Sequence, residues 1–307
     1  MDLSVNLAPW SANGLKLANP VITASGTCGY GDEGNQLFDI QRLGAFICKG
    51  TTLEPREGNA QPRITETASG VLNSIGLQNI GVDAVIKDKA PVWAKWKIPV
   101  IVNIAGASIN EYAQVASRLD GVPGISAIEL NISCPNVKEG GAEFGTDPVT
   151  AAKVTAAVKS STSLPVIVKL TPNNCDITEI ARAVASAGAS ALTLINTLKG
   201  MAIDIYQRKP VLGNITGGLS GPAIKPIALR MVYEVAGAVD IPIIGSGGIA
   251  SHADAIEFIM AGASAVQIGV ASFANPRAPV TILEGIGQLL QMEKIEKITD
   301  IVGAARR

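Results

Sequence analysis

Short apolar runs recur along the chain, and most are followed by a segment with the apolar spacing of an amphipathic helix. β-Branched residues are frequent in these runs, as expected of parallel strands that are buried on both faces. Eight runs are found, at 21–26, 45–50, 100–105, 127–133, 166–170, 191–196, 241–246 and 265–269. Helical patterns include 176–187, 222–236 and 252–261. The alternation predicts an α/β fold, a (β/α)₈ TIM barrel, rather than an open doubly wound sheet.

Three other segments modify this picture. Residues 3–17 alternate around Asn13-Gly14, which predicts a β-hairpin lying over one end of the barrel. The connections 51–80 and 198–221 are too long for simple crossovers and are rich in Gly, Pro and polar residues. Loops of that length in a compact domain are usually functional, so we expect them to be inserted at the active site. With no linker or repeat in the sequence, residues 1–307 are predicted to form a single domain.

Composition and charge exclude several classes of protein. Only 17% of the residues are charged, against about 25% in an average globular protein, so extensive burial, some of it between subunits, is expected. The net charge of −1 and the absence of a Lys/Arg cluster argue against binding to nucleic acid or an anionic membrane. No apolar stretch is long enough for a membrane span, and the chain does not start with a basic segment. We therefore expect a cytoplasmic protein.

The cysteine and histidine content limits the possible chemistry. Cys28, Cys48, Cys134 and Cys175 form no C-x-x-C pair, so no metal or iron–sulfur site is predicted. The one histidine, His252, opens a helical stretch, which leaves little material for a Ser-His-Asp mechanism.

Polar residues gather where the predicted strands end. In barrels of this kind the active site lies at the carboxyl ends of the strands. The residues there are Ser25, Gly26, Lys49, Gly50, Asn103, Asn131, Cys134, Lys169, Asn196, Thr197, Gly245, Ser246, Gly247, Gly248 and Gly269. Buried polar groups need partners, so such a concentration indicates a ligand rather than packing.

Two of these strand ends suggest which ligand. Glycine-rich turns after the seventh and eighth strands are typical of a barrel phosphate site, which indicates a phosphorylated cofactor or substrate. Lys169 ends the fifth strand. Its charge could stabilise an anion that develops on a bound ring, or its amine could form a Schiff base.

The fourth strand carries the candidate catalytic residue. Asn131, Ser133 and Cys134 stand at its end, Pro135 cannot continue the strand, and the glycine-rich segment 139–145 predicts a mobile loop. A deprotonated cysteine there could act as a base or a nucleophile, whereas the alternative is a small cysteine packed beside a turn.

Six segments resemble those of one known family over nearly the whole chain. They are TASGT (23–27), GYG (29–31), KGTTLEPR (49–56), LNSIGLQN (72–79), ELNISCPN (129–136) and GGLSGPAI (217–224). The family is the dihydroorotate dehydrogenases. Segments 49–56 and 217–224 look most like the NAD-linked class 1B, whose catalytic subunit holds FMN. The quinone-using membrane class differs from this sequence, because that class has serine in place of Cys134 and an N-terminal helical extension.

The resemblance implies oxidation of dihydroorotate to orotate in pyrimidine synthesis. Cys134 would be the base that removes the C5 proton while the C6 hydride passes to flavin N5, and Lys169 would lie near flavin N1. By the same resemblance, the FMN site comprises Ser25, Lys49, Gly50, Asn103, Asn131, Lys169, Ile195, Gly221, Gly247, Gly248, Gly269 and Val270. The implied substrate site comprises Lys49, Asn73, Ser74, Ile75, Gly76, Leu77, Asn131, Asn196 and Thr197.

The chemistry of the residues agrees with that assignment. A pyrimidine ring with two carbonyls and two N–H groups suits amides, which donate and accept, and a carboxylate suits a lysine.

The resemblance also implies a second, electron-transfer subunit with FAD and a [2Fe–2S] cluster that passes electrons to NAD⁺. A homodimer of this chain would carry one partner on each copy, which makes a heterotetramer.

Other functions remain open from the sequence. A related flavoprotein that uses fumarate, or one that acts on dihydropyrimidines, would share most of these residues. A barrel lyase with a Schiff base at Lys169 and a phosphate-ligand binding protein without activity are more distant alternatives.

Overall fold

The computed structural model describes residues 1–11, 14–32, 37–133, 138–139, 142–173 and 176–306. All eight predicted strands are present in one parallel sheet. They are β1 (Val21–Thr23), β2 (Phe46–Ile47), β3 (Val100–Ile104), β4 (Ala127–Asn131), β5 (Val166–Lys169), β6 (Ala191–Leu194), β7 (Ile243–Ser246) and β8 (Ala265–Ile268). Their spatial order is β1-β8-β7-β6-β5-β4-β3-β2.

The sheet closes on itself between β1 and β2. Ile22 and Ala45 form a parallel bridge, and the Gly44 amide donates to the carbonyl oxygen of Val21 at 2.8 Å. The hydroxyl of Thr23 accepts from the Ile47 amide at 2.9 Å. With both edges paired, the predicted (β/α)₈ barrel is confirmed.

Helices follow the strands on the outside of the barrel. The α-helices are Val82–Ala84, Ala90–Trp93, Ile109–Leu119, Pro148–Ser160, Ile177–Ser186, Lys225–Val235, His252–Ala261, Ala271–Ala274 and Ala278–Met292. Val85–Lys89 is a π-helical turn, and short 3₁₀ segments occur at Ile40–Arg42, Pro222–Ile224, Ile298–Ile301 and Ala304–Arg306. The three helical patterns predicted from the sequence are all confirmed. None of the helices in the described ranges is long and apolar enough to cross a bilayer.

The N-terminal hairpin is also confirmed. Val5–Asn6 and Lys16–Leu17 pair antiparallel, although Asn13 of the predicted turn lies outside the described residues. The Ser11 hydroxyl is 3.3 Å from that of Ser190, which directly precedes β6. The hairpin therefore covers the amino ends of the strands and leaves the carboxyl ends open.

The two long connections, predicted as loops, form a sheet of their own. Its antiparallel strands lie in the order Leu198–Gly200, Gly217–Ser220, Gly70–Asn73 and Ile64–Thr67. A Cβ on Gly218 would overlap the Thr197 side chain, so glycine permits this close pairing. Short two-stranded pairs occur as well, at Ile203–Asp204 with Lys209–Pro210 and at Lys138–Glu139 with Ala142–Glu143.

Gly44 provides a test of barrel closure. A Cβ at this position would overlap the backbone carbonyl oxygen of Asn19. We expect Gly44→Ala to lower the free energy of unfolding by about 1–3 kcal/mol, the usual cost of overpacking. The measurement is the urea midpoint of the purified chain.

Gly287→Ala is the matched control for this test. Gly287 lies within the helix Ala278–Met292, and its added Cβ would meet only the flexible tip of Met1, at 3.4 Å. Removing a helical glycine should raise stability by about 1 kcal/mol. A Gly44→Ala midpoint at or above that of the original chain would contradict the closure argument.

Candidate active site

A large cavity opens at the carboxyl ends of the strands. Its volume is about 1360 Å³, more than the roughly 300–1,000 Å³ of an ordinary ligand site, so it has room for two ligands. Five strands, β3, β4, β5, β7 and β8, contribute residues to its lining, and residues just after the other three strands also line it. The four-stranded sheet formed by the long connections forms one wall. Every described residue predicted to contact cofactor or substrate lines it: Ser25, Lys49, Gly50, Asn73, Ser74, Ile75, Gly76, Leu77, Asn103, Asn131, Lys169, Ile195, Asn196, Thr197, Gly221, Gly247, Gly248, Gly269 and Val270.

The inner end of the cavity is built on a buried carboxyl group, that of Glu129. It lies on β4 with no exposed surface. Its Oε1 accepts from Asn103 Nδ2 at 2.7 Å, and its Oε2 accepts from Thr193 Oγ1 at 2.9 Å and Gln267 Nε2 at 2.5 Å. A carboxylate, which only accepts hydrogen bonds, matches this set of donors.

Lys169 joins the same cluster from β5. Its ammonium nitrogen is 3.8 Å from Glu129 Oε1 and donates to Gln267 Oε1 at 3.3 Å. The residue is 7% exposed and lines the cavity. These contacts use at most two of its three N–H groups, so donor capacity remains for a ligand.

Sequence reasoning found Asn103 and Lys169 but missed Glu129, Thr193 and Gln267 as parts of the site. A signal was present, because Glu129 and Gln267 each stand between two apolar residues of a strand. A charged or amide side chain in a strand that is buried on both faces needs a partner in the barrel interior.

Several buried polar atoms at the cavity have no partner within the described part of the chain. They are Asn103 Oδ1, Ser74 Oγ and Ser133 Oγ. An unsatisfied buried polar atom costs about 1–3 kcal/mol, so these atoms favour a ligand that can form hydrogen bonds with them.

Amide side chains and one lysine share another part of the cavity lining. Asn196 Nδ2 donates to Asn131 Oδ1 at 3.2 Å, and Asn73 Nδ2 donates to the Gly218 carbonyl oxygen at 3.3 Å. None of the ion pairs among described residues involves Lys49, which also lines the cavity. The arrangement offers donors, acceptors and a positive charge to a polar, anionic ligand.

The glycine turn after β7 suits a phosphate. Gly247 and Gly248 have φ values of 125° and 75°, in the left-handed region, and a Cβ on Gly248 would lie 2.8 Å from the Gly221 carbonyl oxygen. Side chains are thus excluded and backbone N–H groups can approach an anion. Lys225 beside this turn already binds Asp254 and Glu257, at 2.6 and 3.0 Å, and these hydrogen bonds raise its pKa.

Described residues on either side of the predicted base contact Tyr112, which lies on the helix Ile109–Leu119. Cys134 itself lies outside the described residues, as does Cys175. The Tyr112 hydroxyl donates to the Asn131 carbonyl oxygen at 2.6 Å, just before this segment. Its ring packs edge-on against Phe144, just after it, with 5.9 Å between centroids. Tyr112 therefore fixes both ends of the chain around Cys134.

Comparison with known proteins identifies the family of this chain. The family model described as dihydroorotate dehydrogenase matches residues 9–290. The chain belongs to the dihydroorotate dehydrogenase family.

Individual relatives in this family are similar along almost their whole length. A protein of Desulforamulus reducens is 59% identical over 95% of this chain and 96% of its own, and one of Trichlorobacter lovleyi is 57% identical over 94% and 95%. A protein of Pelobacter propionicus is 55% identical over 99% and 98%. Each is named dihydroorotate dehydrogenase B (NAD(+)), catalytic subunit. The resemblance drawn from the sequence segments is confirmed.

Two features of the dihydroorotate dehydrogenase barrel complete the description. In the described ranges, no group of three or more His, Cys, Asp or Glu side chains is arranged to hold a metal.

Cys28 and Cys48 are both buried, and the thiol of Cys48 donates to the Lys49 carbonyl oxygen at 3.4 Å. Burial raises the pKa of Cys48 to about 12, so this thiol stays protonated near neutral pH.

Cys48 leads to a pH-dependence prediction. The folded protein holds the Cys48 proton up to about pH 12, whereas the unfolded chain releases it near its ordinary pKa of 9.0. Because the pKa of Cys48 is higher in the folded protein than in the unfolded chain, it contributes stability that is fully present below pH 9. This stability is lost as the pH rises from 9 to about 12. The urea concentration at the midpoint of unfolding should therefore change little between about pH 8 and pH 9 and fall from there to about pH 10.5.

A substitution separates the Cys48 contribution from the rest. Cys48→Ala should reduce that fall, although some loss will remain because burial also raises the pKa of Tyr30 to about 12. Tyr30→Phe is the matched control, since it removes the contribution of the Tyr30 hydroxyl and keeps that of Cys48. Equal falls in the original and Cys48→Ala chains would show that Cys48 is not the group responsible.

Proposed function

We propose that this chain oxidises (S)-dihydroorotate to orotate, the redox step of pyrimidine synthesis, with FMN bound in the cavity and Cys134 as the base. One observation carries the proposal. In a chain more than half identical to NAD-linked dihydroorotate dehydrogenase catalytic subunits, a glycine cradle, Lys169 and three asparagines line one cavity. Each part corresponds to a chemical group of the two ligands.

The lining residues fit FMN. Backbone groups at Gly221, Gly247, Gly248, Gly269 and Val270 would hold its phosphate, and the left-handed glycines leave space for it. Asn103 Oδ1, which lacks a partner, can accept from a ring N–H. The remaining FMN residues are Ser25, Lys49, Gly50, Asn131, Lys169 and Ile195. When bound, FMN supplies a two-electron acceptor for hydride.

The substrate would lie against the asparagines and Lys49. Lys49 provides a cation for the carboxylate, and Asn73, Asn131 and Asn196 provide donors and acceptors for the ring imide. The unpaired hydroxyl of Ser74 adds a further hydrogen bond. Ile75, Gly76, Leu77 and Thr197 complete the substrate site.

Two groups would do the chemical work of this chain. The Cys134 thiolate takes the C5 proton, and the Lys169 ammonium stabilises negative charge that develops on the ring system. Ion pairing of Lys169 with Glu129 suits an ammonium, whereas Schiff-base formation needs a neutral amine, so the lyase alternative receives no support.

Substitution of Cys134 tests its role as base. We expect Cys134→Ala to keep the yellow FMN spectrum but to reduce flavin at least 10²-fold more slowly with dihydroorotate, the usual contribution of a general base. In the original chain, the rate should rise with pH as the thiolate forms, with a free cysteine pKa of about 8.5 as reference. Anaerobic stopped-flow absorbance measures both. Cys28→Ala is the control, and near-original turnover in Cys134→Ala would refute the assignment.

We further propose that electrons leave through a second subunit carrying FAD and a [2Fe–2S] cluster, which reduces NAD⁺. The chain would form a homodimer with one partner on each copy. An exposed apolar group supports such contacts, because five large side chains within fifteen positions of the 198–221 connection face solvent. They are Met201, Ile203, Ile205, Tyr206 and Ile215.

The choice of acceptor tests this part. The isolated chain should be reduced by dihydroorotate yet fail to reduce NAD⁺, and NAD⁺ reduction should appear when the protein is co-expressed with its electron-transfer subunit. Steady-state assays with NAD⁺ and with fumarate make the comparison. Efficient turnover of the isolated chain with fumarate would instead support the fumarate-linked alternative.

A further inference from the structure

Glu129 is the buried charged group for which neither the proposed mechanism nor the family comparison gives a role. We propose that Glu129 is a positioning residue that holds Lys169 and Asn103 against the cofactor. Its charge also offsets that of Lys169, so that Lys169 stabilises the reduced cofactor less than it would without Glu129. This inference rests on the proposed FMN site.

The Glu129 carboxylate contacts polar side chains from several strands. Its partners Asn103, Lys169, Thr193 and Gln267 come from β3, β5, β6 and β8, while Glu129 itself is on β4. Five of the eight strands thus meet at one side chain through polar contacts. Hydrophobic residues would fill this layer of a barrel without such contacts.

Glu129 also orients the groups that face the cavity. It fixes the amide of Asn103 through Nδ2, which leaves Oδ1 as the atom without a partner. Gln267 accepts from Lys169 through Oε1 and donates to Glu129 through Nε2. One carboxylate therefore orients, directly or through Gln267, both an acceptor and a cation at the predicted cofactor site.

The negative charge of Glu129 also offsets the positive charge of Lys169. Glu129 is completely buried and Lys169 nearly so, so their interaction across 3.8 Å is little screened by solvent. From the cavity the pair presents a dipole rather than a full positive charge. Removing the carboxylate charge would leave Lys169 uncompensated, which favours the electron-rich reduced form of a bound flavin.

The sign of the change in reduction potential separates charge compensation from a merely structural role. If Glu129 acts through its charge, Glu129→Gln should make the FMN potential more positive. If Glu129 only supported the fold, its loss would displace Lys169 and make the potential more negative or leave it unchanged.

The experiment is a spectroelectrochemical titration of the full chain loaded with FMN, with and without Glu129→Gln. We expect the ratio of affinities for reduced and oxidised FMN to rise at least tenfold, which corresponds to about 30 mV for a two-electron couple. Thr193→Val is the matched control, because it removes one hydrogen bond to Glu129 without a change in charge, and its shift should be smaller. An unchanged or more negative potential in Glu129→Gln would overturn the proposal.

A second pair of variants keeps the test decisive if Glu129→Gln does not fold. Lys169→Met leaves the carboxylate uncompensated, and Lys169→Met with Glu129→Gln removes both charges. We expect the potential to fall in the single variant and to recover part-way in the double variant. Equal potentials in these two proteins would count against the proposal.

These measurements do not depend on the substrate. If the potentials shift as expected but dihydroorotate fails to reduce the flavin, the proposed substrate is wrong and the role of Glu129 stands. If dihydroorotate reduces the flavin but the potentials do not shift, only the role of Glu129 fails. A chain that binds no FMN would overturn both.

Discussion

The buried carboxylate of Glu129 is the constraint on which the site depends. A charged side chain inside a barrel is tolerated only when the surrounding strands compensate it. Here three side chains donate hydrogen bonds to Glu129, and Lys169 forms an ion pair with it. The same contacts that satisfy Glu129 also orient Lys169 and Asn103 toward the cavity. Burial of a charge and organisation of the site are therefore one physical arrangement.

The barrel geometry determines where the other functional groups lie. Because all eight strands are parallel, their carboxyl ends meet at one end of the barrel, and residues at or just after each strand end line the same cavity. The N-terminal hairpin covers the opposite end, so the two ends of the barrel have separate tasks. The sheet built from the two long connections then encloses the open end and narrows the site.

Much of this could be read from local sequence. Apolar runs predicted all eight strands, because a strand buried on both faces needs apolar residues over its whole length. The polar residues after those runs predicted the cavity lining, since position at a strand end in a barrel decides position in space. Gly247 and Gly248 adopt the left-handed conformation that few other residues tolerate, and the phosphate site predicted at this turn stays a prediction.

The fold, the family and the residues expected to contact cofactor or substrate could thus be predicted from the sequence. The pairing of distant side chains could not. Glu129 and Gln267 are 138 positions apart, and Gly218 lies 145 positions from Asn73, its partner in the sheet over the cavity. Neither local propensity nor periodicity carries information about pairs so distant, because folding of the barrel and of the sheet over it brings them together. The contacts of Lys169 with Glu129 and Gln267 therefore follow from the tertiary structure alone.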